Sequence, residues 1–176
     1  FLFYIDKLNS RISYAEYKYY ESCYRNNPRF HLHAYRLFKS SNPKEACNHI
    51  EMALSQMAAQ QTLPCPDYSR EWVGYLHENE RDSQVIDLVR RFVSVIPARA
   101  FKSIAFATPE PLDKSALVKE LFELLEQSGN VDPELTCLLA QYYGFVVNDQ
   151  LKALKFAKLS FENCPSLDAA RSLAYA

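Results

Sequence analysis

DPELTCLLAQYYGFVVNDQLKALKFAKLSFENCP, residues 132–165, reads as two helices and a turn, and the rest of the chain reads as looser copies of it. In the first half, Leu135, Leu138, Leu139, Tyr142 and Tyr143 recur every three or four residues and so share one helical face. Asp132 is placed to cap that helix and Pro133 to open it. In the second half, Ala153, Leu154, Phe156, Ala157 and Phe161 form the apolar side, with Lys152, Lys155 and Lys158 as a polar ridge opposite much of it. Asn148-Asp149 supplies the turn, and Pro165 ends the second helix, because the residue before a proline is pushed out of the α region.

The pattern returns along the chain. Pro28, Pro64, Pro97 and Pro165 stand 36, 33 and 68 residues apart, the last interval being two steps of 34 with Val131 at the unfilled point. Leu139-Ala140 comes back as Leu173-Ala174. A period of this length marks stacked helical hairpins, in which one unit cannot bury its own apolar face and leans on its neighbours.

At these residues the chain resembles the tetratricopeptide repeat (TPR) family. Ala153 falls on the small residue that opens the family's second helix, with Phe156, Ala157 and Ser160 at later packing sites. Leu139, Ala140 and Tyr143 match the first helix if the turn carries one extra residue. The copy from Asp67 to Pro97, with Trp72, Tyr75, Glu78 and Arg90-Arg91-Phe92, is more similar to the half-a-TPR variant. The resemblance implies an all-α, right-handed α-solenoid of TPR-like hairpins, with about ten or eleven helices in a single array over residues 1–176. It also implies a groove lined by successive first helices, on which the family register places Arg70, His77, Gln141 and Phe145 as partner-binding positions.

Composition agrees with such an array. Of 176 residues, 48% are hydrophobic and only three are glycine, a helix-rich balance, and the net charge of -1 provides no field that would draw the chain to nucleic acid or acidic lipid. No apolar run reaches the roughly 18 residues that span a bilayer, and FLFYIDKL at the start is interrupted by Asp6. Five cysteines without a C-x-x-C pair favour a reduced, intracellular setting. The chain opens within an apolar helical pattern, Phe1, Leu2, Tyr4, Ile5 and Leu8, and stops within another at Ala176, so it is expected to be a fragment of a longer solenoid.

The remaining segments follow in order. A helix is expected from about Arg11 to Asn26, closed by Pro28, with Tyr17, Tyr20 and Tyr24 on one face. These tyrosines form either an aromatic seam against neighbouring helices or an exposed anchor for a partner. Arg29–Lys39 and Pro43–Gln60 make the next hairpin, with Ala46, Ile50, Ala53 and Leu54 facing inwards. After the Trp72 hairpin comes a short helix from Ala98 to about Ala107, then the irregular TPEPLD loop, then a helix from Ser115 to Gln127 closed by Ser128-Gly129.

Catalytic signatures are absent. His31 and His33, two apart on a helix, point to different faces; His49 stands alone; His77 borders the acidic HENERD turn. Gly74, Gly129 and Gly144 are isolated, so no phosphate-binding loop exists. We expect neither enzyme activity, nor a cofactor, nor a small-molecule substrate. Two binding classes stay open: a scaffold for other protein subunits or a peptide, and a nucleic-acid binder using basic ridges such as Lys152, Lys155 and Lys158 or Arg90-Arg91. The succession FYIDKLNSRISYAEYKYYESCYRNNPRFHLHAYRLFK, residues 3–39, also resembles the family of TBP-associated components of the RNA polymerase I selectivity factor. That likeness implies a nuclear scaffold in transcription, and the half-a-TPR likeness implies one in RNA processing.

Overall fold

The computed structural model describes residues 14–60, 66–108 and 110–175, whose regular elements are all helical, with no strand among them. Ten α-helices occur among them: α1 (Tyr14–Cys23), α2 (Pro28–Phe38), α3 (Pro43–Gln60), α4 (Ser69–Glu78), α5 (Asp82–Arg90), α6 (Ala98–Ala105), α7 (Ala116–Gln127), α8 (Pro133–Gln141), α9 (Gln150–Asn163) and α10 (Leu167–Tyr175). A 3₁₀ turn, Pro66–Tyr68, precedes α4, and a π-helical turn, Tyr142–Val147, follows α8. The expected helix at Phe1–Leu8 lies outside the described residues.

Helix boundaries follow from local chemistry. The Asn27 side chain accepts from the amides of Arg29 and Phe30 at 3.0 and 3.4 Å, with Pro28 in the first turn where no amide is needed. Asp132 does the same for Glu134 and Leu135 at 2.9 and 3.1 Å, ahead of Pro133. Asn42 caps α3, its Oδ1 accepting from the Glu45 amide at 3.4 Å, while its Nδ2 donates to Glu45 Oε2 at 2.9 Å. Past α7, Gly129 takes φ +66, a left-handed conformation that costs a residue without Cβ little.

Packing is local along the chain. The substantial helix–helix contacts join α2 to α3, α4 to α5, α8 to α9, and α9 to α10, and also α2 to α4, α4 to α6, α5 to α7, and α8 to α10. Each partner lies one or two helices away. One core cluster runs continuously from Leu32 to Ala157 around Trp72, Phe101 and Phe122, all essentially inaccessible to solvent. A second, smaller cluster joins Tyr17 and Tyr20 of α1 to Phe30 and Ala34 of α2.

Several expectations need adjusting. The first described helix closes at Cys23, with Tyr24 to Asn27 forming a turn, because Asn27 caps the helix that follows. The helix at Ala98 ends at Ala105, two residues short of the expected Ala107. Phe161, placed by its spacing on the apolar side, is 37% exposed, whereas Ser160 beside it is buried and donates to the Pro133 carbonyl at 2.8 Å. The helix through Tyr143 widens into the π turn, a form that takes up an added residue without breaking the helix. It closes at Asn148 with φ 60, a conformation asparagine tolerates better than most residues.

Candidate interaction surface

Polar side chains link α2 to α4, α2 and α6 to the 3₁₀ turn that precedes α4, α6 to α8, and α8 to α10. His33 Nδ1 lies 3.2 Å from the Tyr68 hydroxyl, and Arg36 Nε donates to Glu71 Oε1 at 2.6 Å while stacking 4.7 Å over the Tyr68 ring. Arg99 meets Asp67 at 3.3 Å, Lys102 meets Glu134 at 4.0 Å, and Cys137 Sγ contacts Ser172 Oγ at 3.2 Å. The His33–Tyr68, Arg36–Glu71 and Cys137–Ser172 links each span 35 residues, and Arg99–Asp67 spans 32. The links therefore recur at nearly the same interval along the chain.

Arg70 is exposed on α4, next in sequence to Glu71. Gln141 is exposed at the end of α8, its amide 3.7 Å from Cys137 Sγ. It lines a groove of about 450 Å³ with Lys102, Glu134 and Asp168. Arg70, His77 and Phe145 do not line that groove. His77 is half-buried rather than a free helix end: Nδ1 sits 3.0 Å from Asp82 Oδ1, and Nε2 3.8 Å from Glu110 Oε1. Phe145 is 69% exposed on the π turn, close in sequence to exposed Val147 and to Leu151 at 83%.

The three tyrosines of the N-terminal face divide. Tyr17 and Tyr20 are buried against Phe30, and Tyr24 is half-buried beside the same ring, so the face forms the aromatic seam and the two inner rings are not exposed anchors.

Of the basic ridges, Lys152, Lys155, Arg90 and Arg91 each contact another group of the chain, and Lys158 is exposed. Lys152 donates to Glu126 at 2.8 Å and lies 4.5 Å over the Tyr143 ring, and the Tyr143 hydroxyl also donates to Glu126. Burial alone would raise the Glu126 carboxyl, but Lys152 and Tyr143 together hold it below the usual range. Burial and the Glu126 carboxylate push the Tyr143 phenol up to about 12. Arg90 pairs with Asp87 at 2.8 Å, and Arg91 donates to the Ala58 carbonyl at 2.9 Å. Arg81 forms an ion pair with Glu51, which also accepts from Tyr75 at 2.8 Å. Lys155 lies 5.1 Å over the Phe156 ring. A cation already held by a carboxylate or a carbonyl adds less to a phosphate-binding footprint than a free one.

His49 is not solitary. It stacks on His31 with ring centroids 5.2 Å apart, and the two Nδ1 atoms are 2.9 Å apart. Tyr17 hydrogen-bonds to the other face of the relay at His49 Nε2. Burial pulls both imidazoles below their ordinary value, His49 to about 4. The histidines lie 18 residues apart on two helices separated by a turn, so their spacing says nothing of a contact; the pairing of α2 with α3 brings them together.

Among the described residues, no group of three or more histidine, cysteine, aspartate or glutamate side chains is arranged to hold a metal ion, and no helix is long and apolar enough to cross a membrane. Comparison with protein-family models, with curated proteins and with solved structures finds no match to this chain.

Proposed function

We propose that the chain is a right-handed α-solenoid of TPR-like hairpins and works as a non-catalytic scaffold. In this reading it is one component of a larger intracellular complex, nuclear rather than cytoplasmic, in transcription or RNA processing. The observation that carries the reading is the recurring interval of 32 to 35 residues spanned by the polar links from α2 to α4 and its leading 3₁₀ turn, from that turn to α6, and from α8 to α10. A bundle built around one centre would bring distant segments together, whereas here the substantial contacts stay within two helices along the chain. Such an array presents its first helices side by side, with Arg70 and Gln141 exposed to meet a peptide or another protein of the complex. The exposed side chains of Phe145, Val147 and Leu151 add apolar surface near the end of α8. Placement in the nucleus rests on the sequence resemblances alone.

Nucleic-acid binding is the weaker reading, because within the two ridges Lys152, Arg90 and Arg91 already bond to carboxylates or a carbonyl of the chain. Tagged chain recovered from nuclear extract tests the proposal, with the co-eluting proteins quantified and retention on DNA and RNA columns followed from low to high salt. Stoichiometric protein partners, lost when Arg70, Gln141 and Phe145 are replaced together by Ala, are the expected result. Elution without protein partners, or retention on nucleic acid that falls steeply with salt, would overturn it.

A further inference from the structure

We propose that the outward side of α9, together with the π turn that leads into it, seats an acidic amphipathic segment of a protein partner. The inference rests on the scaffold reading and adds the chemistry of what the scaffold holds. A Cβ placed on Gly144 would sit 3.5 Å from the Ala153 Cβ, so the π turn lies directly against the first turn of α9. Phe145 and Val147 on that turn and Leu151 on α9 are all exposed, at the same end of the helix. Single exposed apolar residues are ordinary, whereas large ones gathered in one place mark a surface that meets something else.

Along α9 the same side continues in charge. Leu151, Lys155, Lys158 and Glu162 follow one another at intervals of four, three and four residues, so they form one stripe, and all four are exposed. Leu154 and Leu159, half-buried, border it on either side. Lys152 lies off the stripe and is held by Glu126 at 2.8 Å. Among the described residues, Lys155 and Lys158 are within ion-pair distance of no carboxylate. From the π turn outwards the stripe therefore reads apolar, basic, basic, acidic.

That order selects the occupant. A partner helix with a bulky apolar residue over Leu151 and carboxylates one and two turns further along meets Lys155 and Lys158 with opposite charge. A second copy of this chain does not fit. Antiparallel pairing of the stripe with itself sets Lys155 against the other copy's Lys158 and Leu151 against its Glu162, and parallel pairing sets each lysine against itself. Nucleic acid would find only two cations, with Glu162 in line and aliphatic side chains between them and Phe145. An anionic lipid surface takes up the apolar line of an interfacial helix, but here lysines and a glutamate hold the middle of the exposed side.

Selection of helical peptides from a randomised display library on the immobilised full chain tests the inference, followed by titration of the recovered peptides. These should carry Asp or Glu one or two helical turns from a large apolar residue. Their affinity should fall by at least about tenfold for Leu151→Ser and for the Lys155→Glu, Lys158→Glu chain, and weaken as salt rises. All three positions are exposed, so the substitutions leave the core as it is. Exchanging the acidic residues of a recovered peptide for Lys should restore its binding to the charge-reversed chain. Phosphatidylserine vesicles and polyuridine RNA are titrated alongside. No enrichment, peptides without an acidic excess, binding that the substitutions leave unchanged, or vesicle or RNA binding that Leu151→Ser abolishes would overturn the inference. Protein partners from nuclear extract that stay on the Leu151→Ser and charge-reversed chains would overturn it too while leaving the scaffold reading in place, whereas recovery of no partner by any chain removes the scaffold itself.

Discussion

Trp72, Phe101 and Phe122 fill the middle of the core, but the side chains that set how this protein responds to its surroundings are the buried tyrosines and histidines around it. His31 and His49 have depressed values in the folded state, so the unfolded chain takes up protons first as pH drops below about 6.5. The stability they allow is complete above that pH and is lost as pH falls towards about 4. Tyr75 and Tyr143 are shifted the other way, each to about 12, by burial first and then by hydrogen bonds to Glu51 and Glu126. Their contribution is complete below the ordinary tyrosine value of about 10 and is lost as pH rises through about 12. Urea denaturation across pH should therefore show a plateau from about pH 6.5 to pH 10 with a fall on both sides. His49→Gln should flatten the acid limb and Tyr143→Phe the alkaline one. Unchanged limbs in both variants would mean that other groups control the profile.

Turns and caps were the most legible elements. Asp132-Pro133 announces a helix start because a side-chain oxygen there meets amides that lack a partner within the helix, and it does so in the structure. Asn27 and Ser115 cap in the same way, although the sequence marks Asn27-Pro28 as the close of the helix before it and Ser115 as the first residue of its helix. Asp132→Ala should cost about 1 kcal/mol by this mechanism. Asn148→Val should cost about 1–2 kcal/mol, since a β-branched residue resists the left-handed backbone that ends the π turn. Thermal or chemical unfolding of the two variants checks both figures, and a neutral Asn148→Val would mean that the turn relaxes without it. Less was visible where tertiary pairing decides the outcome. Phe161 has the spacing of a core residue, yet it is 37% exposed, and Ser160, which the family register places at a packing site, takes the inner position with a bond to the Pro133 carbonyl. Nothing local marks His49 as the partner of His31, and whether Tyr17 and Tyr20 face inwards depends on Phe30, which lies in the next helix. Of the proposed surface, Arg70, Gln141 and Phe145 are exposed, whereas the carboxylates that occupy His77 come from Asp82 across a turn and from Glu110 in the loop after α6.

At the level of the entire chain, the all-helical architecture was readable because apolar spacing, scarce glycine and placed prolines agree with one another. How the hairpins add up rests on the series of contacts between near neighbours and on links such as Arg36–Glu71 and Cys137–Ser172. Units stacked in series make a longer body than the same mass gathered round one centre, whose radius of gyration would be about 16 Å for 176 residues. Small-angle X-ray scattering from the monomer in dilute solution measures that length directly. We predict a radius of gyration distinctly above about 16 Å and an asymmetric pair-distance distribution with an extended tail. A symmetric distribution with a radius at or below that value would contradict the stacked-hairpin account.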